Sequence, residues 1–431
     1  MSGELERRTL RKVSLRIIPF IMLLYFMVFI DRVNIGFASL QMNKDLGFSP
    51  AVFGFGAGIF FWGYFLCEIP SNVALHRFGA RLWIARIMVS WGILAGIESQ
   101  IQGPTSFYVL RFLLGAAEAG FFPGVILYLS YWFPARQRAA AVSLFMASAP
   151  LSTAIGSPLA STILGLNGAL GLAGWQWLFI LEAVPSVLLG FVTLATMTDR
   201  PEQAKWLADA ERDWLVSTMT AERAGKAATE TRSVWRALAD PRVLGLALVY
   251  FGTSAGLYTL GVWAPQIIKS FGLPTSEVGL LNALPPTVAV VGMVLWSRHS
   301  DRTNERPWHV IIACLAAAVG LTLAGLSPNV VAVVAALMLV NVGIVSAKPP
   351  LWAMPTMFLS GPAAAAGLAA INSIGNLGGF AGPAMIGWIK SLTGSFAGGL
   401  YFVCGLLVVS AFVTFLVSRS AVRPSAIVKP V

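Results

Sequence analysis

Residues 17–39 read IIPFIMLLYFMVFIDRVNIGFAS, an apolar run whose only charged side chains are the adjacent Asp31 and Arg32. As a helix rising about 1.5 Å per residue it is long enough to cross a hydrocarbon core of about 30 Å. Arg7, Arg8, Arg11, Lys12 and Arg16 precede it. This order of cations and apolar residues imitates a secretion signal, but the run is too long and lacks a small-residue cleavage site. It is therefore expected to remain as a first membrane span.

The rest of the chain repeats the pattern. Of 431 residues, 57% are hydrophobic and 11% charged, whereas a soluble domain would be about a quarter charged. Further apolar runs lie at 51–75, 82–101, 106–132, 139–166, 175–197, 243–268, 277–297, 308–327, 330–358, 363–390 and 396–418. With the first, they predict an all-α membrane protein of twelve transmembrane helices. The net charge of +11 does not indicate nucleic-acid binding, because the cations share no soluble face. Of the 30 Lys and Arg residues, 24 fall at the termini and in alternate loops; Lys44, Lys269 and Lys390 occupy the other loops, and three more lie inside apolar runs. This asymmetry predicts an inner (plasma) membrane protein with both termini cytoplasmic. Cys67, Cys314 and Cys404 lie in apolar segments with no disulfide framework or metal spacing. No metal or cofactor is expected.

A charged stretch at 198–242, including Asp199, Arg200, Glu202 and Lys205, divides the chain. It predicts an N-terminal six-helix half (1–197), a cytoplasmic linker (198–242) read first as a solvated connection, with a short amphipathic surface helix after Pro201 as the alternative, and a C-terminal six-helix half (243–431). The halves echo one another. Asn72-Val-Ala-Leu-His76-Arg77-Phe-Gly79-Ala-Arg81 follows the second run and Ser297-Arg-His-Ser-Asp301-Arg302-Thr-Asn-Glu-Arg306 the eighth, with His76 where Asp301 stands. Such internal repeats are a signature of secondary transporters.

This layout resembles the major facilitator superfamily. Asp31-Arg32-Val-Asn34-Ile-Gly-Phe-Ala, Arg111 with Glu118, Tyr131-Trp132-Phe133-Pro134 with Arg138, Gly174-Trp175-Gln-Trp177 and Ile371-Asn372-Ser-Ile-Gly-Asn376-Leu-Gly-Gly resemble its anion:cation symporter branch. That branch includes bacterial tartrate, phthalate, hydroxyphenylacetate and sugar-acid permeases. The resemblance implies two pseudo-symmetric halves working by alternating access, a cavity lined by the first, fourth, seventh and tenth helices, and gating by Arg77, Arg81, Asp301, Arg302 and Arg306. His76 departs from the family's usual Asp in the first turn.

Charge inside a membrane costs about 2.5–3.5 kcal/mol at a helix centre on insertion scales, which makes each such residue a functional candidate. Seven stand out: Asp31, Arg32, Glu68, Arg111, Glu118, Glu182 and Lys348. Asp31 and Glu118 are the candidates for proton coupling, because ionisation of a sequestered carboxyl depends on solvent access and on a nearby cation; the alternative is a structural pairing with arginine. Arg111 and Glu118 are seven residues apart, about 10 Å along a helix, and cannot simply pair directly.

Arg32, Arg111 and Lys348 are candidates for capturing an anion, the arginines through a planar fork and the lysine as a point charge. Arg111 has a second reading, as the cation that tunes a carboxyl. Lys348 precedes Pro349-Pro350, which free backbone carbonyls, and its alternative is snorkelling to the interface. Tyr64, Tyr258, Trp352, Asn372 and Asn376 are candidate pocket residues, and Tyr25, Phe29 and Phe122 could shape the same pocket. Glu68 and Glu182 are read as structural, and the glycines of the second and eleventh runs as packing sites.

Together these features predict a proton-coupled importer of a small organic anion: an aromatic acid, a dicarboxylate or a sugar acid. It is expected to act as a monomer in the lipid bilayer, with protons and the anion as its partners and no nucleic acid. A facilitator, a sodium-coupled carrier or an exporter are the alternatives within transport. An enzyme is disfavoured: His76, His299 and His309 lie in or beside loops, without metal-ligand spacing or a paired nucleophile.

Overall fold

The computed structural model describes residues 2–227, 239–359 and 361–421, and all regular structure among them is helical. The twelve spans are α1 (Ser2–Asp45); α2 (Pro50–Phe78); α3 (Ala80–Ile97); α4 (Pro104–Glu118) continued by α5 (Phe121–Trp132); α6 (Ala135–Met146) continued by α7 (Ser148–Leu164); α8 (Gly174–Thr196); then, after the linker helix α9 (Asp209–Ala227), α10 (Pro241–Lys269); α11 (Thr275–Thr303); α12 (Pro307–Leu326); α13 (Val330–Ala353); α14 (Gly361–Asn376) continued by α15 (Gly378–Thr393); and α16 (Ala397–Ala421). Among the described residues, eleven are long and apolar enough to cross a membrane. The eleventh in chain order is interrupted at Leu377, between α14 and α15.

The chain forms two compact units: Met1–Phe48 with Ile59–Glu230, and Ser49–Gly58 with Thr231–Val431. Each repeats the same helix pairings. In the first unit the third span packs on the sixth (α3 with α8) and the first on the fifth (α1 with α7). In the second the ninth packs on the twelfth (α12 with α16), the seventh on the eleventh (α10 with α14 and α15) and the eighth on the tenth (α11 with α13). The second span meets the fourth by close backbone approach: a Cβ on Gly63 would strike the Phe112 carbonyl, and one on Gly115 the Phe60 carbonyl. Small residues substitute here for the hydrophobic drive that lipid removes.

Glycine plays the same part in the second unit. Gly375 lies against the Tyr250 ring, and Gly378 and Gly382 against the carbonyls of Phe251 and Ala255, seating α14 and α15 on α10. Gly54 and Gly58, at the start of α2, meet Pro383, Gly387 and Phe380 of α15. That contact is why Ser49–Gly58 groups with the second unit.

Two carboxylates anchor the linker helix: Glu222 accepts the Ala135 amide at 3.1 Å and Arg138 Nη2 at 3.4 Å, and Glu211 is the more buried of the two. Glu211 is buried and receives Lys12 Nζ at 2.7 and 2.8 Å, the Ala208 amide at 3.2 Å and Arg8 Nε at 3.0 Å. Burial pushes its carboxyl up, but the hydrogen bonds from Lys12 and Ala208 and the charges of Lys12 and Arg8 hold it below the ordinary 4.5. A depressed carboxylate stabilises the fold fully above its unfolded pKa, and that stabilisation is lost as pH falls through the folded value. Glu211→Gln should therefore lower the melting temperature near neutral pH, and the difference from wild type should shrink on acidification through the carboxylate range. A difference independent of pH would show that ionised Glu211 is not an anchor.

Candidate functional site

In the first unit, α1 delivers three polar side chains to three different neighbours, because successive residues of a helix point about 100° apart. Asp31 Oδ2 accepts a 2.9 Å hydrogen bond from Trp91 Nε1 of α3. Arg32 donates from Nε (2.8 Å) and from Nη2 to Glu118 Oε1 of α4. Asn34 donates its amide to Glu182 Oε1 of α8. Arg111, on α4, places Nη1 3.5 Å from Glu98 Oε1. Asp31, Glu98, Arg111, Glu118 and Glu182 are each 5% exposed or less.

Aromatic faces complete the surroundings of the guanidiniums. The Arg32 guanidinium carbon lies 5.4 Å from the rings of Phe29 and Phe60 and 5.3 Å from Tyr64; that of Arg111 lies 5.1 Å from Phe60. Rings at this range favour a cation that has left water. Tyr64 is thus brought to Arg32.

Glu118 sits at a break in the fourth span. Helix α4 ends with it, and Gly120 takes a left-handed conformation (φ 86°) before α5 begins. Irregular backbone at membrane depth needs internal partners. Ser71 Oγ of α2 donates to the Ala119 carbonyl at 2.6 Å and itself receives Trp83 Nε1 at 2.9 Å. A side chain on Gly120 would collide with Ser71, so the break and its serine plug belong together, one residue from the ion pair.

Glu98 is a residue that sequence reasoning passed over. It stands near the end of the third apolar run and is not among the seven charges singled out from sequence, and the 3-10 turn Glu98–Gln100 folds it inward to full burial. The signal was a carboxyl within an apolar run. With it, five buried carboxyls of the spans (Asp31, Glu68, Glu98, Glu118, Glu182) share the first unit with Arg32 and Arg111.

The second unit groups a smaller set. Lys348 Nζ lies 6.0 Å from the Tyr250 ring centre, and the Trp352 ring meets Tyr250 edge-on at 5.0 Å. The Trp352 indole N–H is buried and has no hydrogen-bond partner among the described residues. Asn372 and Asn376 are buried one turn apart on α14, flanking the Gly375 that rests on Tyr250. Tyr258 is half-buried two turns further along α10. Tyr250, absent from the sequence-based candidates, is what joins Lys348, Trp352 and the asparagine helix.

The two repeated turns, after the second and the eighth span, differ in how they are held. In the second, Arg306 Nη1 binds Asp301 Oδ1 at 2.5 Å and Ser300 Oγ at 3.0 Å, while Arg302 is exposed. In the first, His76 is exposed, Arg77 lies over the Phe78 ring at 5.6 Å, and the carboxylate comes from elsewhere. Asp199, just after α8, accepts the Arg81 amide at 2.7 Å and touches Gly79, whose φ of 86° turns the chain. His299 and His309, apart in sequence, are joined: Nδ1 of His299 lies 2.8 Å from Nε2 of His309, whose Nδ1 lies 3.1 Å from Glu305.

Comparison with known proteins agrees with this architecture. A sequence model described as Major Facilitator Superfamily matches residues 21–383. A protein of Agrobacterium vitis named for tartrate transport is 65% identical over 431 residues, covering 100% of this chain and 99% of its own length. The quinolone resistance transporter of Acinetobacter baumannii is 40% identical over 415 residues, 96% of each chain. The crystal structure of a bacterial homologue of the human lysosomal transporter Spinster has a TM-score of 0.78 at 17% identity, covering 97% of this chain and 99% of that one. Twelve spans paired alike in two units, a family match across most of the chain and full-length transporter relatives establish that this chain belongs to the Major Facilitator Superfamily, as a multi-pass membrane transporter and not an enzyme.

Proposed function

We propose that the protein imports a small dicarboxylate of the tartrate class across the bacterial inner membrane, driven by protons through alternating access. The observation that carries this reading is the buried Arg32–Glu118 pair at the break in the fourth span. An ionised pair at this depth is stable only while both partners are present. A proton on Glu118 cancels one charge and frees the planar fork of Arg32, which then suits a carboxylate of the substrate. Arg111 plays the corresponding part for Asp31 and Glu98. In the second unit Lys348, beside Tyr250 and Trp352, offers a further positive charge, with the free Trp352 N–H as a donor for a hydroxyl or carboxylate oxygen. The choice of tartrate follows from the 65% identical relative.

The test is uptake of labelled L-tartrate into proteoliposomes under a pH gradient, alkaline inside. Accumulation that a protonophore abolishes and a sodium gradient does not replace is the expected result. Uptake driven only by sodium, or gradient-independent equilibration, would overturn the coupling. Saturable transport of neutral or cationic compounds with no response to tartrate would overturn the anion. Lys348→Ala should raise the apparent substrate constant about tenfold or more, the equivalent of one charge-assisted hydrogen bond of ~1.5–3 kcal/mol; an unchanged constant would leave Lys348 as a snorkelling cation.

A further inference from the structure

Glu182 reads in sequence as a scaffold residue beside a Trp-Gln-Trp run, but its surroundings do not suit a carboxylate. It is buried at the centre of α8, with one hydrogen bond, from Asn34 to Oε1. The other two oxygens of this facing pair, Glu182 Oε2 and Asn34 Oδ1, have no partner among the described residues. Both are acceptors when Glu182 is ionised, and neither can satisfy the other. A single proton on Oε2 changes that, because a carboxylic acid can return a hydrogen bond to the amide oxygen and close a two-bond acid–amide pair.

Electrostatics point the same way. Among the elements packed against α8, α1 presents Asp31, while its Arg32 is engaged with Glu118. The third span presents Glu98 at its 3-10 end, and its Arg86 is taken up by Ser90 and the Ala117 carbonyl. Helix α7 carries no titratable side chain. The ionisable groups that act on Glu182 are therefore the carboxyls of Asp31 and Glu98, both acidic. A buried anion facing two further anions and no cation is among the costliest arrangements a membrane protein could hold.

We infer that Glu182 and Asn34 form a proton-binding site of the transport cycle, separate from Asp31 and Glu118, in which Glu182 holds a proton in the conformation described here. The step is a proton transfer alone: the O–H bond on Oε2 forms when water delivers a proton and breaks when water reaches the pair and takes it back. Since Asn34 is three residues from Asp31 on α1, any movement of α1 that parts Asn34 from α8 removes the amide acceptor from the acid. The inference rests on the proton-coupled reading, but makes a separate claim about where a proton resides.

Two measurements test it, and they fail independently of that reading. Infrared difference spectra of the purified protein, taken between neutral and alkaline pH, should contain the C=O stretch of a neutral, hydrogen-bonded carboxylic acid that is lost in Glu182→Gln and shifted in Asn34→Ser. If that band survives Glu182→Gln, or if Asn34→Ser leaves it unmoved, Glu182 is not the proton holder. In proteoliposomes, Glu182→Gln should lose pH-driven accumulation of tartrate while keeping tartrate counterflow, because the amide imitates the protonated acid but cannot release a proton. Retained pH-driven accumulation would return Glu182 to a scaffold role while leaving Asp31 and Glu118 as the coupling groups. A Glu182→Gln protein that does not fold leaves the decision to the Asn34→Ser shift in the otherwise native chain. Wild-type protein that never accumulates tartrate under a pH gradient would defeat the transport reading, yet the infrared band would still locate the proton.

Discussion

Glu118→Gln is expected to abolish accumulation of tartrate against its gradient while preserving, and even tightening, exchange at equilibrium. The amide is the same size as the acid and keeps an acceptor for Arg32, so the break in the fourth span and its Ser71 plug are undisturbed. What is lost is the cycle of charge. On the proposed mechanism the substrate carboxylate competes with Glu118 for a single guanidinium, and in the variant that competitor is permanently neutral. Accumulation driven by the pH gradient should fall to the level of passive equilibration, and the counterflow half-saturation constant should drop. A buried guanidinium deprived of its counter-charge also destabilises, by about 3–5 kcal/mol where a pair is fully sequestered. The variant should therefore melt lower without ligand and show a larger stabilisation by tartrate than wild type does. Intact pH-driven accumulation would remove Glu118 from the coupling machinery, and unchanged stabilisation by tartrate would remove Arg32 from the substrate site.

Arg111→Met is expected to produce the largest loss of stability of any single change in the first unit. Arg111 is the cation beside Glu98, and its charge also acts on Asp31. Methionine keeps much of the length and packing of the side chain against Phe60 and leaves both acids without it. Removing one partner of a buried pair costs roughly 3–5 kcal/mol, and the affected acids can escape only by taking up protons. Two consequences separate electrostatics from packing. The loss should be greater at alkaline than at acidic pH, because protonation relieves the stranded acids. It should also be partly reversed in Arg111→Met/Glu98→Gln, where one acid has been neutralised; a double-mutant cycle measures that coupling directly. Additive losses in the double variant, with no pH dependence, would show that Glu98 and Arg111 are neighbours without being partners.

The membrane architecture was legible in the chain because it is dictated locally. A run such as 17–39 must span as a helix, since backbone amides find no partners in hydrocarbon except along their own chain. Twelve runs and a charged divider then prescribe two halves. The spacing of Arg111 and Glu118 correctly denied them a direct pairing: they sit two turns apart and bind Glu98 and Arg32 instead. The glycines read as packing sites do serve close helix approach.

What escaped the sequence has a common physical cause. Glu98 is absent from the sequence-based candidates because hydropathy averages over a window and cannot see a 3-10 turn at the end of a run fold one side chain inward. The carboxylate missing at His76 is supplied by Asp199, more than a hundred residues later, and Tyr250 unites the second-unit candidates although its position on α10 is unremarkable in sequence. The chain by itself determined that there are twelve spans and which of them carry charge, because lipid acts on each segment separately. Which charge meets which was decided only by tertiary structure: Asp31, Arg32 and Asn34 leave one helix in three directions, and whether each finds Trp91, Glu118 or Glu182 depends on the rotation and depth of α3, α4 and α8 against α1.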